Sequence, residues 1–391
     1  MSRAEKPADT GEGGRSLLQR VTSSSVVTGL KNTWQKANPW AHEHANARQV
    51  DTAAKPQETM FSKDAKSAFG RVDTDRNGTL TNHELTAAVG SSAFRNGEAA
   101  AVGTMHKFAD DIEDLSNDER ILETRGITRK DLDQFEKLQA GSDLGSRVRS
   151  TYYNGLYKIE RADRHLYGSD GKGVRGEVVE QGGLGDCYFL AGVASQAAQN
   201  PEAIKRMIRA NADGTYTVSF PGRKPVTVTA PTDAELARYA STGGKGIWLN
   251  VLEKAYAQSR NDSRLIARGD MYKAIEGGFG KQTIKTMTGH SSNRDLLWFT
   301  SAAELKANVQ KGQAEGRLMT IATGPGIGRD RTKANNLPTR HEYTMLGYDE
   351  TSGKFRIRNP WGSEGPKDDG MLELTAEEVK KNFLSLTIEK R

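Results

Sequence analysis

The chain has one cysteine, Cys187, set in Gln181-Gly182-Gly183-Leu184-Gly185-Asp186-Cys187-Tyr188-Phe189-Leu190. A lone thiol forms no internal disulfide, so it is either an inert core group or a nucleophile. Free cysteine is among the most buried residue types, which keeps the first reading open. From Cys187 to Gln199 the residues are small or apolar, include no proline and stop at Asn200-Pro201, the pattern of a helix. A cysteine that opens a helix has its thiolate favoured by the unpaired N–H groups and the positive dipole end there. The glycines before it let the backbone approach a substrate closely.

A thiol nucleophile needs a base and a group to orient that base. Arg340-His341-Glu342-Tyr343-Thr344-Met345-Leu346-Gly347-Tyr348-Asp349 reads as a strand, with alternation through Tyr343, Met345 and Gly347. Lys354-Phe355-Arg356-Ile357-Arg358 is a second alternating run that stops at Asn359-Pro360-Trp361-Gly362. The short turn from Asp349 to Gly353 makes the two a hairpin, so His341 and Asn359 fall at the same open end. There the imidazole of His341 can take the thiol proton, and the Asn359 carbonyl can accept from the other ring N–H and fix the tautomer. A thiolate–imidazolium pair would hold the cysteine pKa down, toward ~3–4. Gln181, six residues before Cys187, could offer its amide with the Cys187 backbone N–H to a developing oxyanion.

A second chemistry lies upstream. Asp73-Thr74-Asp75-Arg76-Asn77-Gly78-Thr79-Leu80-Thr81-Asn82-His83-Glu84 fits the twelve-residue EF-hand calcium loop. Asp73, Asp75, Asn77 and Thr81 carry oxygens at the ligand positions, Thr79 offers its carbonyl and Glu84 a bidentate carboxylate. Gly78 supplies the sharp turn. Helical patterns flank the loop, from Phe61 to Val72 and from Leu85 to Val89. EF-hands come in pairs, and the stretch from Phe108 to Leu138 is the candidate partner. Its Gly126-Ile127-Thr128-Arg129-Lys130-Asp131-Leu132 mimics the second half of a loop, but Arg120, Leu122 and Arg125 stand at would-be ligand positions. We read it as a degenerate partner without metal, so one Ca2+ is the expected cofactor.

Gln181–Leu190, His341–Gly347 and Arg358–Gly362 resemble the three signatures of the calpain-type cysteine proteases, in the same order. Trp248-Leu249-Asn250-Val251-Leu252-Glu253-Lys254-Ala255-Tyr256-Ala257 is similar to a helix of that family, and Glu276-Gly277-Gly278 with Thr288-Gly289 resembles a further stretch. The resemblance runs over roughly residues 150 to 391. It implies a papain-like core, with a helical half carrying Cys187 and a sheet-rich half carrying His341 and Asn359. It assigns Cys187 as nucleophile, His341 as base, Asn359 as orienter, Gln181 as oxyanion donor and Trp361 as the ring that shields the Asn–His contact. Tyr188 replaces the family's more usual tryptophan and is expected to keep an aromatic wall. Glu253 matches a core calcium ligand of the animal calpains, but its acidic partner position is Val178, with Glu177 one place off, so core calcium sites are not expected. The set of modules fits a bacterial relative better than an animal one.

The expected fold class is α+β: a papain-like two-lobed core preceded by a small all-α EF-hand domain and a disordered tail. The expected boundaries are 1–58 for the tail, 59–140 for the EF-hand-like domain and 141–391 for the protease domain, with Ala140 to Ser150 as a linker. The tail is rich in Ser, Thr, Gly, Ala and charge, with a short amphipathic helix possible over Val26 to Ala37. Charged residues make up 27% and hydrophobic ones 35% of 391, the composition of an ordinary soluble protein. No apolar run approaches a membrane span, and no continuous apolar stretch follows the basic N-terminus. A net charge of +6 without an aromatic-interleaved basic patch argues against nucleic-acid binding. The reading is a cysteine endopeptidase acting on protein or peptide substrates, calcium-modulated through the EF-hand. The alternatives are acyl transfer to an amine on the same triad, or a calcium-binding interaction protein with an inactive protease domain. The expected location is the cytoplasm, or outside the cell without a classical signal peptide; oligomeric state is left open.

Overall fold

The computed structural model describes residues 59–116, 125–138, 141–264, 269–325, 337–362 and 370–391. The expected tail, the helix over Val26 to Ala37, Arg120 and Leu122 lie outside the described residues.

The first part is helical. Helix α1 (Met60–Val72) and α2 (Asn82–Val89) flank the Asp73–Glu84 loop, and α3 (Asn96–Lys107), α4 (Ala109–Glu113) and α5 (Arg129–Lys137) follow. Within the loop a two-residue strand, β1 (Thr79–Leu80), pairs antiparallel with β2 (Ile127–Thr128), so that Leu80 lies opposite Ile127, both fully buried. The stretch read as a degenerate partner therefore does sit against the intact loop. The two sides share a capping device. Thr81 and Glu84 form a capping box at the start of α2, and Thr128 and Asp131 form the same box at the start of α5. Glu84 also accepts from the backbone N–H of Thr74, ten residues before it, and Asp131 from that of Ser116, fifteen before it.

The expected linker is helix instead. Ser142 caps α6 (Asp143–Arg161) by accepting from the Gly145 N–H, and Val148, Tyr152, Gly155 and Ile159 form its buried stripe. Gly155 is needed because a Cβ there would press on Ala237 at 3.0 Å. One apolar core runs from Phe61 of α1 through Tyr152 to Phe189, Trp248 and Tyr256 of the cysteine-bearing half. The helical region is thus built into that half rather than tethered beside it. Polar contacts agree: Thr232 Oγ1 donates to the Val89 carbonyl at 2.6 Å, and the buried Asp233 carboxylate accepts from Asn96 N, Arg95 and Arg164.

The cysteine-bearing half consists of α7 (Cys187–Gln199), α8 (Pro201–Met207), the three-stranded sheet β3 (Ile208–Ala210), β4 (Tyr216–Val218) and β5 (Val226–Val228), then α9 (Asp233–Arg238), α10 (Trp248–Asp262) and α11 (Gly280–Thr288). The second half is a six-stranded sheet in the order β10-β9-β8-β7-β11-β6, with every pair antiparallel. Its strands are β6 (Ser292–Leu296), β7 (Met319–Ala322), β8 (Glu342–Asp349), β9 (Lys354–Arg358), β10 (Met371–Leu374) and β11 (Ser385–Glu389), with α12 (Ala302–Ala314) and α13 (Ala376–Asn382) packed on it. This sheet has its own core, including Tyr343, Met345, Phe355, Ile357 and Leu386. The β8–β9 hairpin forms as expected, but a bulge at Leu346 resets the alternation after Met345. No helix among the described residues is long and apolar enough to cross a membrane.

Candidate active site

Helix α7 begins at Cys187 and is buried almost throughout, because its residues are small and apolar on every face. Two hydroxyls fasten it to the sheet: Thr344 Oγ1 of β8 donates to the Ala191 carbonyl at 2.8 Å, and Ser195 Oγ accepts from Met319 N of β7 at 3.0 Å. The start of α7 is thereby held against the start of β8. The main chain at Glu342, the residue after His341, acts to lower the Cys187 pKa.

His341 and Asn359 meet at the open end of the β8–β9 hairpin, with His341 Nε2 at 2.8 Å from Asn359 Oδ1. That amide atom also accepts from the Trp361 backbone N–H at 3.1 Å. A backbone N–H can only donate, so the atom is oxygen, and Nε2 must carry the ring proton. The neutral imidazole then has Nδ1 as its basic nitrogen. The Trp361 ring lies 4.6 Å from the His341 ring, and both His341 and Asn359 are buried. The imidazole, the amide and the Trp361 ring come together at the open end of the hairpin.

Three features differ from expectation. Burial pushes the Cys187 thiol up to about 12 rather than down. Hydrogen bonds from the Glu342 and Tyr188 backbone pull the other way, but the Glu342 and Asp186 carboxylates add to the rise. The sulfur is therefore a thiol in this arrangement, and its proton must move during attack. Gln181 is also engaged elsewhere. Its Nε2 donates to the Leu184 carbonyl at 2.7 Å and to Asp186 Oδ1 at 3.2 Å, so both amide hydrogens point into the glycine turn. Its Oε1 is buried with no partner among the described residues. Tyr188 does not form a wall of the cleft either. It is buried in the core, its hydroxyl 3.4 Å from that of Tyr256, and Gly278 is glycine because a Cβ would lie 2.5 Å from the Tyr188 ring.

Four residues around the site were given no catalytic part by the sequence reading. Asp186, directly before Cys187, is fully buried, as is Glu253 of α10, and burial raises both carboxyls, each acting on the other. Glu253 also accepts from the Ala240 N–H at 3.0 Å, so the acid at the core-ligand position is a partner of Asp186 and the 239–240 main chain. Glu342 is buried beside the sulfur, accepts from Thr320 Oγ1 at 2.6 Å, and is pushed up to about 7 by burial. Arg358, the last residue of β9, is buried and spans the two halves, donating to the Val179 carbonyl at 2.7 Å and the Glu177 carbonyl at 2.8 Å. Gln181 N adds a bond to the Pro360 carbonyl at 2.7 Å.

The upstream loop gathers oxygens. The ligand atoms of Asp73, Asp75 and Glu84 lie within 4.8 Å of one another, and Asp73 and Glu84 are buried. Asp73 accepts from Asn77 N and Gly78 N, and Asn77 Oδ1 from Thr79 N at 2.8 Å. Gly78 has φ +85°, the left-handed turn that the loop requires of a glycine. Burial raises the Glu84 carboxyl, but hydrogen bonds from Thr81 and Thr74 outweigh it and hold the group below the usual range.

Residues 162–387 match the profile of the calpain family of cysteine proteases. The chain belongs to that family. Among curated proteins it is similar to the calpain-type cysteine protease ADL1 of Oryza sativa subsp. japonica, 27% identical over 52% of this chain and 10% of that protein. It is also similar to the calpain-2 catalytic subunit of Bos taurus, 28% identical over 46% of this chain and 27% of that one, and to calpain clp-1 of Caenorhabditis elegans, 29% identical over 50% and 26%. The chain thus spans roughly a tenth to a quarter of the length of these relatives.

Proposed function

We propose that the chain is a cysteine endopeptidase in which Cys187 attacks a peptide carbonyl, His341 moves the proton and Asn359 holds the imidazole. The observation that carries the reading is the 2.8 Å His341–Asn359 bond at the open end of the hairpin whose first strand is fastened to the cysteine-bearing helix through Thr344 and the Ala191 carbonyl. The neutral His341 takes the thiol proton at Nδ1 as the sulfur bonds to the carbonyl carbon. The oxyanion is held by the Cys187 backbone N–H and by the Gln181 amide once it leaves Leu184 and Asp186. The imidazolium protonates the leaving amine, and water activated by the same ring hydrolyses the thioester. The inward Gln181 amide and the raised thiol pKa describe a resting site that substrate or calcium must complete. Cys187→Ala should abolish cleavage of a denatured protein substrate while leaving the melting curve unchanged; cleavage that persists in this variant sinks the reading.

We further propose that Asp73, Asp75, Asn77, Thr79, Thr81 and Glu84 hold one Ca2+, the degenerate side serving only to pair with the loop. The converging carboxylate oxygens fit a hard cation. Bound there, calcium would supply charge neutralisation and order to the loop between α1 and α2. The core shared by α1 and α7 is the route by which such ordering would reach Cys187. Activity with and without chelator, in wild type and Glu84→Ala, tests this: calcium should raise wild-type activity and leave the variant's unchanged, whereas equal activity in all four samples would remove the switch.

A further inference from the structure

The glycine turn before Cys187 is pinned along its main chain. Glu180 and Ser241 exchange both main-chain hydrogen bonds, at 2.9 and 2.8 Å, and Gln181 N donates to the Pro360 carbonyl at 2.7 Å. Further on, Gly183 N donates to the Arg238 carbonyl at 2.9 Å, and the Gly185 carbonyl accepts from Gly277 N at 2.8 Å. With the backbone fixed at these residues, what the turn offers a substrate depends on where the Gln181 side chain points. That side chain is buried, and its amide nitrogen donates to the Leu184 carbonyl at 2.7 Å and to Asp186 Oδ1 at 3.2 Å. The same orientation leaves Gln181 Oε1 buried with no partner among the described residues. A buried amide oxygen without a donor is costly, so the inward orientation depends on the acceptors that offset this cost.

Of the two acceptors, Asp186 is the one whose placement is out of the ordinary. It is the N-cap residue of α7, where an aspartate commonly accepts from the second or third N–H of the helix. Here the side chain makes no capping bond, and the N–H groups of Phe189 and Leu190 go to the Asp186 main-chain carbonyl, at 2.8 and 3.1 Å. The fully buried carboxyl is turned to Gln181 instead. We propose that Asp186 is a positioning residue whose carboxyl holds the Gln181 amide inside the glycine turn, away from the oxyanion, until substrate binds. Burial and the neighbouring Glu253 push this carboxyl well above its ordinary range, so it grips the amide less firmly than a free carboxylate would. A grip of that strength is one that a developing oxyanion can break. The proposal rests on Cys187 being the nucleophile and adds what sets the state of its oxyanion site.

The experiment compares two thiol reagents on the full chain. With a peptide aldehyde, the Cys187 sulfur bonds to the carbonyl carbon and the thiol proton passes to the former carbonyl oxygen, which occupies the oxyanion position. With iodoacetamide, the sulfur displaces iodide, the thiol proton goes to solvent, and no oxyanion forms. Asp186→Ala should bind the aldehyde about three- to tenfold more tightly than wild type, the size of one hydrogen bond lost from the inward state, with its iodoacetamide rate within about twofold. Asp186→Asn, which keeps an acceptor for the amide, should return the aldehyde affinity to the wild-type value. In a Gln181→Ala background, adding Asp186→Ala should change neither reading. Equal aldehyde affinity in wild type and Asp186→Ala, or a gain that survives in the Gln181→Ala background, overturns the hold. Parallel changes with both reagents also overturn it, since they report a displaced cysteine. A wild type that neither reagent labels removes the nucleophile reading itself, and the hold with it.

Discussion

At the scale of single residues, the chemistry depends on how a buried thiol is made to give up its proton. Glu342 matters here because its carboxyl is buried against the sulfur and its charge opposes thiolate formation. Replacing it by Gln keeps the Thr320 contact and removes the charge. Glu342→Gln should therefore speed alkylation of Cys187 at a fixed mildly alkaline pH by about three- to tenfold. The same carboxyl has a stability signature. Its pKa rises from the ordinary 4.5 to about 7 on folding, so the native state binds the proton more tightly than the unfolded one. That contribution is complete below about pH 4.5 and is lost as pH rises through about 7. Melting temperatures across this window should fall less steeply in Glu342→Gln than in wild type. The helix start at Cys187 and the meeting of His341 with Asn359 were legible in the sequence because each residue sits beside a turn or helix start that declares its position. The inward Gln181 amide and the Asp186–Glu253 pair were not, because they depend on contacts across segments far apart in the chain.

At the scale of elements, the site is assembled by fastening a helix to a sheet and one half to the other. Arg358 is the main polar tie between the halves, and losing it would strand the Val179 and Glu177 carbonyls. Arg358→Met should cost about 2–4 kcal/mol in chemical unfolding, from the unpaired acceptors it leaves. The glycine turn is equally constrained. A Cβ on Gly182 would lie 2.2 Å from the Tyr239 carbonyl oxygen, a main-chain collision that no side chain can yield to. Gly182→Ala should lower stability by about 1–3 kcal/mol and displace the Cys187 N–H, with a fall in the alkylation rate as the readout. Helix α7 and the β8–β9 hairpin were readable because apolar runs and alternation mark them. The segment taken as a linker was misjudged, since Gly141, Gly145 and Ser146 look like punctuation. In fact Ser142 caps a helix whose stripe at 148, 152, 155 and 159 carried the stronger signal.

At the scale of the whole molecule, the helical region and the cysteine-bearing half share one apolar core, so they are expected to unfold together. Calcium binding at Asp73–Glu84 should then raise the stability of the entire unit. At ~100-fold excess over its dissociation constant the gain is about 2.7 kcal/mol, visible as a shift of one transition. Glu84→Ala should lose that shift; separate transitions, only one of them calcium-sensitive, would show that the regions melt independently. The loop itself was legible from its oxygen pattern and Gly78. Its fusion to the catalytic half was not, because the apolar faces of α3 and α6 do not say which surface covers them.

The central claim, that His341 activates Cys187, is tested most directly by the pH dependence of Cys187 alkylation with a peptide-like electrophile, read by mass spectrometry, in wild type and His341→Ala. The account predicts labelling of wild type near neutral pH that falls by orders of magnitude in the variant. Equal labelling of the two proteins across neutral pH would contradict it.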